Sequence, residues 1–274
     1  MDELLALLPP IRRMRGPRLY AADGRRFLDL WMDDGRGLLG EADRASRKYA
    51  GNAADKGLLR PYPGLYDRRF EKAVLAAWPG FAAMRVYRSE ERALAAAARV
   101  NEAPARLIET THPPFETPGH PAPWGAVALA RPFAQVPDTV HLALPRLPCP
   151  APFSPACLMA RDPAALDGER GDIVPAMLLY AASRGLDSLA RAAETGYDET
   201  LWKRFDKRMT RFFHREGPWL YPLVPRERHA AFFRAALEGG ALVSPRPDAP
   251  SAVPADFDDG ELARLARALE EVMA

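Results

Sequence analysis

Histidine and carboxylate side chains in the middle of the chain have the spacing of a metal site. His112, Glu116 and His120 follow the pattern His-x3-Glu-x3-His, which on one helix face would bring three metal ligands together. Four prolines between residues 113 and 121 exclude a helix, because proline removes a backbone donor and clashes with the preceding turn. We therefore expect a mobile or partner-facing loop here, and we predict no metal site.

A second candidate chemistry is a cysteine nucleophile. Cys149 or Cys157 could act with His141 as the base, since the reactive form of cysteine is the thiolate. Cys157 opens the apolar run Cys157-Leu-Met-Ala160, so we expect it to be a buried small hydrophobic residue. Two cysteines are too few for a disulfide framework, and their spacing is not that of a zinc knuckle.

Lysine is missing from the middle of the chain. Of the 38 basic residues only five are lysines, and none lies between Ala73 and Trp202. This interval therefore excludes chemistry that needs an amine, such as formation of a Schiff base. Lys203 and Lys207 fall on the polar side of a helix that we predict from Glu199 to His214, so we expect both to be solvated.

Composition and charge exclude several classes of protein. A chain of 274 residues with 48% hydrophobic and 27% charged residues is typical of a globular protein with a sizeable core. The net charge of +2 argues against a nucleic-acid partner, so we interpret Arg12, Arg13, Arg15 and Arg18 as a solvated face. No stretch reaches the ~20 apolar residues of a membrane span, and the acidic N-terminal stretch lacks the basic region of a signal peptide. We expect no membrane association and a cytoplasmic location.

The elements that position these residues follow from local patterns. Asp23-Gly24 lies between two runs rich in Leu, Tyr and Phe, which predicts a β-hairpin over 18–30. Ser89 has the character of a helix N-cap, with Glu90 and Glu91 in the first turn of a helix that runs to about Val100. Other helices are predicted at 67–78, 176–193, 225–237 and 259–273, and short strands at 84–87, 106–109, 126–129, 140–144, 157–160 and 241–243.

Three segments together resemble the class III pyridoxal-phosphate-dependent aminotransferases, including the glutamate-semialdehyde aminomutase type. The run Leu19-Tyr20-Ala-Ala-Asp23-Gly24-Arg-Arg-Phe-Leu-Asp29 is similar to the family's N-terminal YxxDGxxYLD segment, and Gly35-Arg-Gly37-Leu-Leu-Gly40 follows it. Residues 70–99 resemble the family's helix, strand and phosphate-binding turn. Gly239-Gly240-Ala-Leu-Val-Ser-Pro245 and the closing helix resemble its C-terminal small domain.

The resemblance also implies a cofactor site whose residues differ here. In active members the cofactor phosphate rests on a Ser-Gly-Ser/Thr turn, and the matching residues are Ser89, Glu90 and Glu91. We interpret these three as a remnant phosphate turn, because two carboxylates would repel a dianionic phosphate. The family's Gly-His motif corresponds to Gly40-Glu41. Asp138 is the nearest counterpart of the aspartate that holds the pyridine nitrogen, and we expect it to be an ordinary turn acid.

The resemblance predicts an α/β fold of the fold-type-I aminotransferase kind. We expect an N-terminal segment at 1–30 that packs on the small domain, a reduced large α/β domain at 31–175 and a small α+β domain at 176–274. Active members are longer, and their catalytic lysine lies in the large domain, within the interval that lacks lysine here.

We therefore predict an aminotransferase-like pseudoenzyme that acts as a binding or interaction protein, with no cofactor and no catalytic residue assigned. One alternative is an enzyme of changed chemistry that uses Glu90, Glu91, His112 and His141. Another is a partner subunit of an active aminotransferase. By the resemblance, we expect a homodimer.

Overall fold

A computed structural model describes residues 3–40, 44–111, 124–151 and 154–273, without the side chains of residues 44–47. The chain forms two compact units, which are described separately. The first unit comprises Met1–Asp43 and Arg191–Ala274, and the second unit is Arg44–Ala190. The domain boundaries predicted from the sequence lie after residues 30 and 175.

The predicted strands and helices have counterparts close to their predicted positions, and the structure adds short elements that were not predicted. The strands are β1 (Ile11–Arg15), β2 (Arg18–Ala21), β3 (Arg26–Asp29), β4 (Ala83–Tyr87), β5 (Arg106–Glu109), β6 (Ala126–Ala130), β7 (Leu142–Pro145), β8 (Ala156–Ala160), β9 (Phe213–Glu216), β10 (Trp219–Pro222), β11 (Ala241–Leu242) and β12 (Ser251–Ala252). The helices are α1 (Met32–Gly35), α2 (Arg44–Asp55), α3 (Leu65–Ala77), α4 (Glu90–Val100), α5 (Ala176–Glu194), α6 (Glu199–Met209), α7 (His229–Glu238) and α8 (Asp259–Met273).

In the first unit, the N-terminal strands join the C-terminal part of the chain in one sheet. Its order is β1-β2-β3-β11, and β11 runs parallel to β3. A second sheet has the order β12-β10-β9. Trp202, Phe205 and Met209 recur on one face of α6 and are buried, as the helical period predicts.

The predicted helix over 199–214 is too long. Helix α6 ends at Met209, and the residues from Phe213 onward form strand β9. This strand pairs with β10, so that His214 lies opposite Tyr221. Pairing with the adjacent strand β10 in a hairpin overrides the local helical pattern here, because the pairing satisfies the backbone hydrogen bonds while Phe212 and Phe213 are both buried.

In the second unit, the strands form a sheet with the order β4-β8-β7-β6-β5. Strands β5, β6 and β7 are mutually parallel, whereas β8 is antiparallel to both β4 and β7. Strand β4 therefore runs in the same direction as β5, β6 and β7. The carboxyl ends of these four strands lie at one side of the sheet, which we call the carboxyl edge.

Both faces of this sheet are covered by helices. Alternate residues of β8 contact different apolar clusters: Cys157 and Met159 pack with residues of α3 and α5, and Leu158 and Ala160 pack with residues of α4. Side chains alternate across a strand, so a sheet covered on both sides needs apolar residues at every position. This burial explains the continuous apolar runs that the sequence shows.

Candidate functional site

Charged residues follow the strands at the carboxyl edge of the sheet. Glu109 ends β5, Arg131 follows β6, Arg146 follows β7, and Glu90 begins helix α4 after β4. Open α/β sheets bind their ligands at the carboxyl ends of the strands, next to helix N-termini. This edge is therefore the candidate functional site of the second unit.

Arg131 and Glu109 form a closely matched ion pair. The Arg131 side chain is fully buried, and the Glu109 side chain is 14% exposed. Arg131 Nε donates to both carboxylate oxygens of Glu109 at 2.9 Å, and Nη2 donates to Oε2 at 2.7 Å. Thr111 Oγ1 donates to Glu109 Oε1 at 2.9 Å. Such a bidentate pair holds both side chains in fixed positions.

Arg146 lies beside this pair and contacts Glu90. The strand partners Ala130 and Pro145 lie directly opposite each other, so the two arginines that follow them emerge from neighbouring strand ends. The Arg146 side chain is 7% exposed, and its Nη1 lies 3.2 Å from Glu90 Oε2. The Glu90 side chain is 38% exposed. A buried guanidinium needs a counterion, and Glu90 supplies one from the first turn of α4.

The turn before α4 has the predicted cap. Ser89 is extended at φ −149° and ψ 161°, and its Oγ accepts a hydrogen bond from the Arg92 backbone N at 3.4 Å. Glu91 is exposed, and the Ser89 side chain lowers the pKa of its carboxyl by hydrogen bonding to it. Asp172 holds the turn from outside, because its carboxylate accepts from the Arg88 backbone N at 3.0 Å and pairs with the Arg92 guanidinium.

These residues do not fit pyridoxal phosphate. A phosphate on the first turn of α4 would lie against Glu90 and Glu91, and like charges in a partly buried site repel strongly. All five lysines of the chain have exposed side chains. In the second unit, Lys48 lies on α2, Lys56 directly follows α2, and Lys72 lies on α3, so none of these three belongs to the carboxyl edge. The other two lysines, Lys203 and Lys207, lie on α6 of the first unit.

Two predicted site residues lie at the opposite side of the sheet. Asp138 and His141 precede β7, at its amino end. Asp138 pairs with Arg161 at 3.3 Å, and it is almost fully exposed, which agrees with a turn acid. The remnant turn and His141 are separated by the length of a strand, so they do not share a pocket.

A nucleophilic Cys157 with His141 as its base is not supported by the geometry. Cys157 pairs with Val86 near the carboxyl edge, whereas His141 lies near Ala160 and Arg161 at the other end of β8. Three strand residues span about 10 Å. Burial also raises the pKa of the Cys157 thiol well above its ordinary value, which disfavours the thiolate.

The candidate metal ligands His112, Glu116 and His120 lie outside the described residues, as does Glu41. Within the described ranges, no group of three or more His, Cys, Asp or Glu side chains could hold a metal ion. In the same ranges, no helix is long and apolar enough to cross a membrane.

The arginines near the N-terminus have structural contacts. Arg18 Nε and Nη2 each donate to Glu261 at 2.8 Å, and Nη1 donates to Asp256 at 2.6 Å. The Arg13 guanidinium lies 4.4 Å from the centre of the Tyr20 ring. Arg12, Arg13 and Arg15 are exposed on β1, as expected for a solvated face. The prediction is wrong for Arg18, whose side chain is only 16% exposed because it pairs with the buried Glu261.

Sequence reasoning missed the two arginines of the site. Arg131 and Arg146 each follow directly after an apolar run that forms a strand. A charged residue in that position is a usable signal, because the carboxyl ends of parallel strands meet at one edge. The carboxylates that pair with them are 22 and 56 residues away, so the pairing could not be deduced from spacing.

Comparison with known proteins places the chain in a structural class. No protein-family model matches it. It is 29% identical to an uncharacterized protein of Treponema pallidum (strain Nichols), over 92% of this chain and 91% of the relative. It is 25% identical to an uncharacterized protein of Borreliella burgdorferi, over 94% of this chain and 89% of that one.

Solved structures with a similar fold are class III pyridoxal-phosphate aminotransferases. An omega-transaminase from Sphaerobacter thermophilus has a TM-score of 0.69 at 10% identity, over 97% of this chain and 92% of that one. An acetylornithine aminotransferase from Elizabethkingia anophelis has a TM-score of 0.65 at 13% identity, over 96% of this chain and 93% of that one. The prediction of an α/β, aminotransferase-like fold is thereby confirmed.

Proposed function

We propose that this chain is a binding or interaction protein on an aminotransferase-like fold, and that it does not catalyse pyridoxal-phosphate-dependent transamination. The observation that carries this proposal is the Glu90–Arg146 ion pair at the carboxyl edge. A carboxylate of the chain itself lies on the helix turn that would have to bind the phosphate. We also propose that the large domain is reduced relative to active members of the family, and that the family's catalytic lysine has been lost.

The exposed lysines support the same conclusion. Transamination on this cofactor requires an amine that forms a Schiff base and then moves a proton. A lysine in that role is usually buried beside the cofactor, where desolvation lowers the pKa of its ammonium group. The lysines of this chain are instead exposed on helices, or next to one.

Absorbance with added cofactor tests the proposal. The purified full chain is incubated with pyridoxal phosphate, passed through a desalting column and examined for the visible band of a Schiff base, with an active aminotransferase treated in parallel. We expect no band that is stoichiometric with the chain. Reaction of surface lysines with excess aldehyde is controlled by the Lys72→Arg and Lys203→Arg variants. A stoichiometric band that borohydride bleaches and one lysine substitution abolishes would refute the proposal.

An exposed apolar segment favours an interaction role over a new enzymatic one. Leu59, Tyr62 and Leu65 are 53%, 66% and 77% exposed, and they lie within eight residues of one another before and at the start of α3. Exposed apolar groups of this kind mark interaction sites more often than isolated surface residues do. The enzymatic alternative needed Glu90 and His141 in one pocket, and these residues lie at opposite edges of the sheet.

We propose a second copy of the chain as the partner at this segment. The charges around it have both signs, with Lys56, Arg60 and Arg68 exposed near Asp55 and Glu71. A surface with mixed charges can complement itself across a two-fold axis. Association with a different aminotransferase subunit is the alternative outcome, and it would appear only when both proteins are present.

A further inference from the structure

Strand β1 is the outer strand of its sheet, and one of its sides is open to another strand. The sheet order is β1-β2-β3-β11, and within the described residues β1 pairs with β2 alone. Four of its five residues are exposed. The register is irregular between Ile11 and Arg13, so the regular part of this edge is residues 13–15. An outer strand of this kind can pair with an extended segment of another protein.

The backbone hydrogen bonds show which residue of β1 directs its peptide groups to the open side. Asp29 N donates to Pro17 O at 2.8 Å, and this bond flanks the pair that Arg18 makes with β3. A pair flanked in this way has its own peptide groups pointing apart, so those of Arg18 point to β1, where its partner is Arg15. Peptide groups alternate in direction along a strand, and those of Met14 therefore point to the open edge.

The Met14 side chain ends an apolar row that crosses the sheet. Met14 lies opposite Leu19, and Leu19 lies opposite Phe27. Leu19 and Phe27 are buried, whereas Met14 is 47% exposed. Side chains that lie directly opposite each other on neighbouring strands pack together on one face. An apolar residue in an added strand would continue this row and cover the exposed methionine.

The other face of this edge carries positive charge. Arg13 and Arg15 flank the methionine in the strand, so their side chains lie on the opposite face, and both are exposed. The carboxylates of Asp256 and Glu261 pair instead with Arg18 of the neighbouring strand. Acidic side chains of an added strand would lie opposite the two arginines of β1, and opposite charges in that position attract each other.

The charge of the edge also decides between partners. A second copy of β1 at this edge would bring arginine against arginine, and like charges directly opposite each other are destabilising. Charged side chains on an outer strand prevent self-pairing in this way. A segment that carries acidic residues at alternate positions has the complementary charge, so the edge disfavours a copy of itself and fits an acidic partner.

We propose that the edge of β1 is a docking site for an extended acidic segment of another protein, which pairs with β1 as an added strand. The segment has an apolar residue opposite Met14 and an acidic residue on either side of it, opposite Arg13 and Arg15. Its backbone bonds to the N–H and C=O of Met14. This docking site does not depend on the proposed dimer, because β1 belongs to the first unit and the exposed segment before α3 belongs to the second.

Binding of labelled peptides tests this docking site. Fluorescence anisotropy follows titration of the full chain into a heptapeptide in which glutamate and valine alternate, and into one of the same composition with all glutamates before the valines. We expect the alternating peptide to bind at least about fivefold more tightly, because only this peptide places valine opposite Met14 and glutamate opposite both arginines. Exchange of the Met14 amide hydrogen should slow by about tenfold or more at saturation, since this amide becomes hydrogen bonded.

Variants of β1 separate strand addition from general attraction between charges. Arg13→Glu/Arg15→Glu should bind the alternating acidic peptide at least about tenfold more weakly, and should instead bind a peptide in which lysine and valine alternate. Arg234→Glu changes an exposed arginine on α7 of the same unit, and it should bind the acidic peptide as wild type does. Met14→Pro removes the outward N–H without breaking a bond to β2, so this variant should fold and lose binding.

Several results would overturn the docking site. Equal binding of the two acidic peptides would do so, since attraction between opposite charges needs no alternation. Unchanged binding by Met14→Pro, or unchanged exchange of the Met14 amide hydrogen, would exclude strand addition. A single-stranded oligonucleotide that bound more tightly than the acidic peptide would assign the arginines to a nucleic acid instead. These results leave the absorbance test of the proposed function unaffected, since that test reports on a lysine Schiff base.

Discussion

At the scale of single residues, the buried and partly buried acids of this protein are held in different ways. Glu109 has an arginine partner, whereas Asp29 in the first unit accepts two backbone hydrogen bonds, from Trp31 N at 3.0 Å and Met32 N at 2.8 Å. These bonds hold the start of α1, where Met32, Asp33 and Asp34 have positive φ values of 52°, 52° and 59°. Three consecutive left-handed residues are strained, and Asp29 is one group that stabilises them.

Asp29 makes the stability of the protein depend on pH. Burial, the largest cause, raises the pKa of its carboxyl from 3.8 to about 6. The folded state therefore binds more protons than the unfolded state between these two values, and the free energy of unfolding falls as the pH rises from 4 to 6. The contribution is fully present below pH 4, and about 3 kcal/mol is lost above pH 6.

Asp29→Asn should remove this dependence. The amide oxygen can still accept from Trp31 N and Met32 N, but it carries no charge to desolvate. We expect the unfolding free energy of the variant, relative to wild type, to rise by about 2–3 kcal/mol between pH 4 and pH 7. Urea titrations at several pH values measure this difference, with Asp55→Asn as the exposed control. A difference that is constant over this range would show that Asp29 is not the titrating group.

At the scale of elements, two glycines illustrate how turns are fixed in the first unit. Gly24, in the turn between β2 and β3, has a φ of +90°, and an added Cβ would meet no atom within 4 Å. Gly40 has a φ of +59°, and an added Cβ would lie 2.5 Å from Gly16 C and 2.8 Å from Pro17 N. Both positions need a residue with a left-handed backbone conformation, but only at Gly40 would a side chain also clash with neighbouring backbone atoms.

The two substitutions to alanine should therefore differ in their effect. Gly24→Ala is expected to lower the free energy of unfolding by about 1 kcal/mol, which is the penalty for a left-handed alanine. Gly40→Ala should lower it by about 2–4 kcal/mol, because the backbone of the β1–β2 turn must also shift. Denaturant unfolding of the two variants measures the values. Equal losses would mean that the Gly40 contact relaxes freely.

At the scale of the whole molecule, the exposed segment around α3 predicts the oligomeric state. We expect wild type to be a dimer by light scattering after size-exclusion chromatography. Tyr62→Asp/Leu65→Asp should be monomeric, because the buried interface would contain unpaired charges. Aspartate is favourable at the start of a helix, so Leu65→Asp should not disturb α3.

Controls for the oligomeric state come from the other unit. Leu223→Asp changes an exposed apolar residue of the first unit, and this variant should remain a dimer. A wild-type chain that is monomeric at all concentrations would contradict self-association through this segment. Dimerisation only in the presence of an aminotransferase would favour the partner-subunit alternative.

Much of the local structure follows from signals between residues that are neighbours along the chain. The start of α4 at Ser89 and the bounds of α8 follow from caps and from the helical period, and the β2–β3 hairpin follows from Asp23-Gly24. These signals act between residues that are close along the chain. For the same reason, the sequence predicts that Ser89 caps α4 and that Glu90 and Glu91 lie in its first turn.

The contacts of these residues, in contrast, depend on how the strands are arranged in the folded chain. Strands β1, β9 and β12 form by pairing with other strands, and short segments of this kind carry weak local signals.

Arg146 meets Glu90 because β4 and β7 run in the same direction in one sheet, so that residues far apart in sequence emerge at one edge. A buried charge is stable only beside its counterion, and the fold is what brings the counterion there.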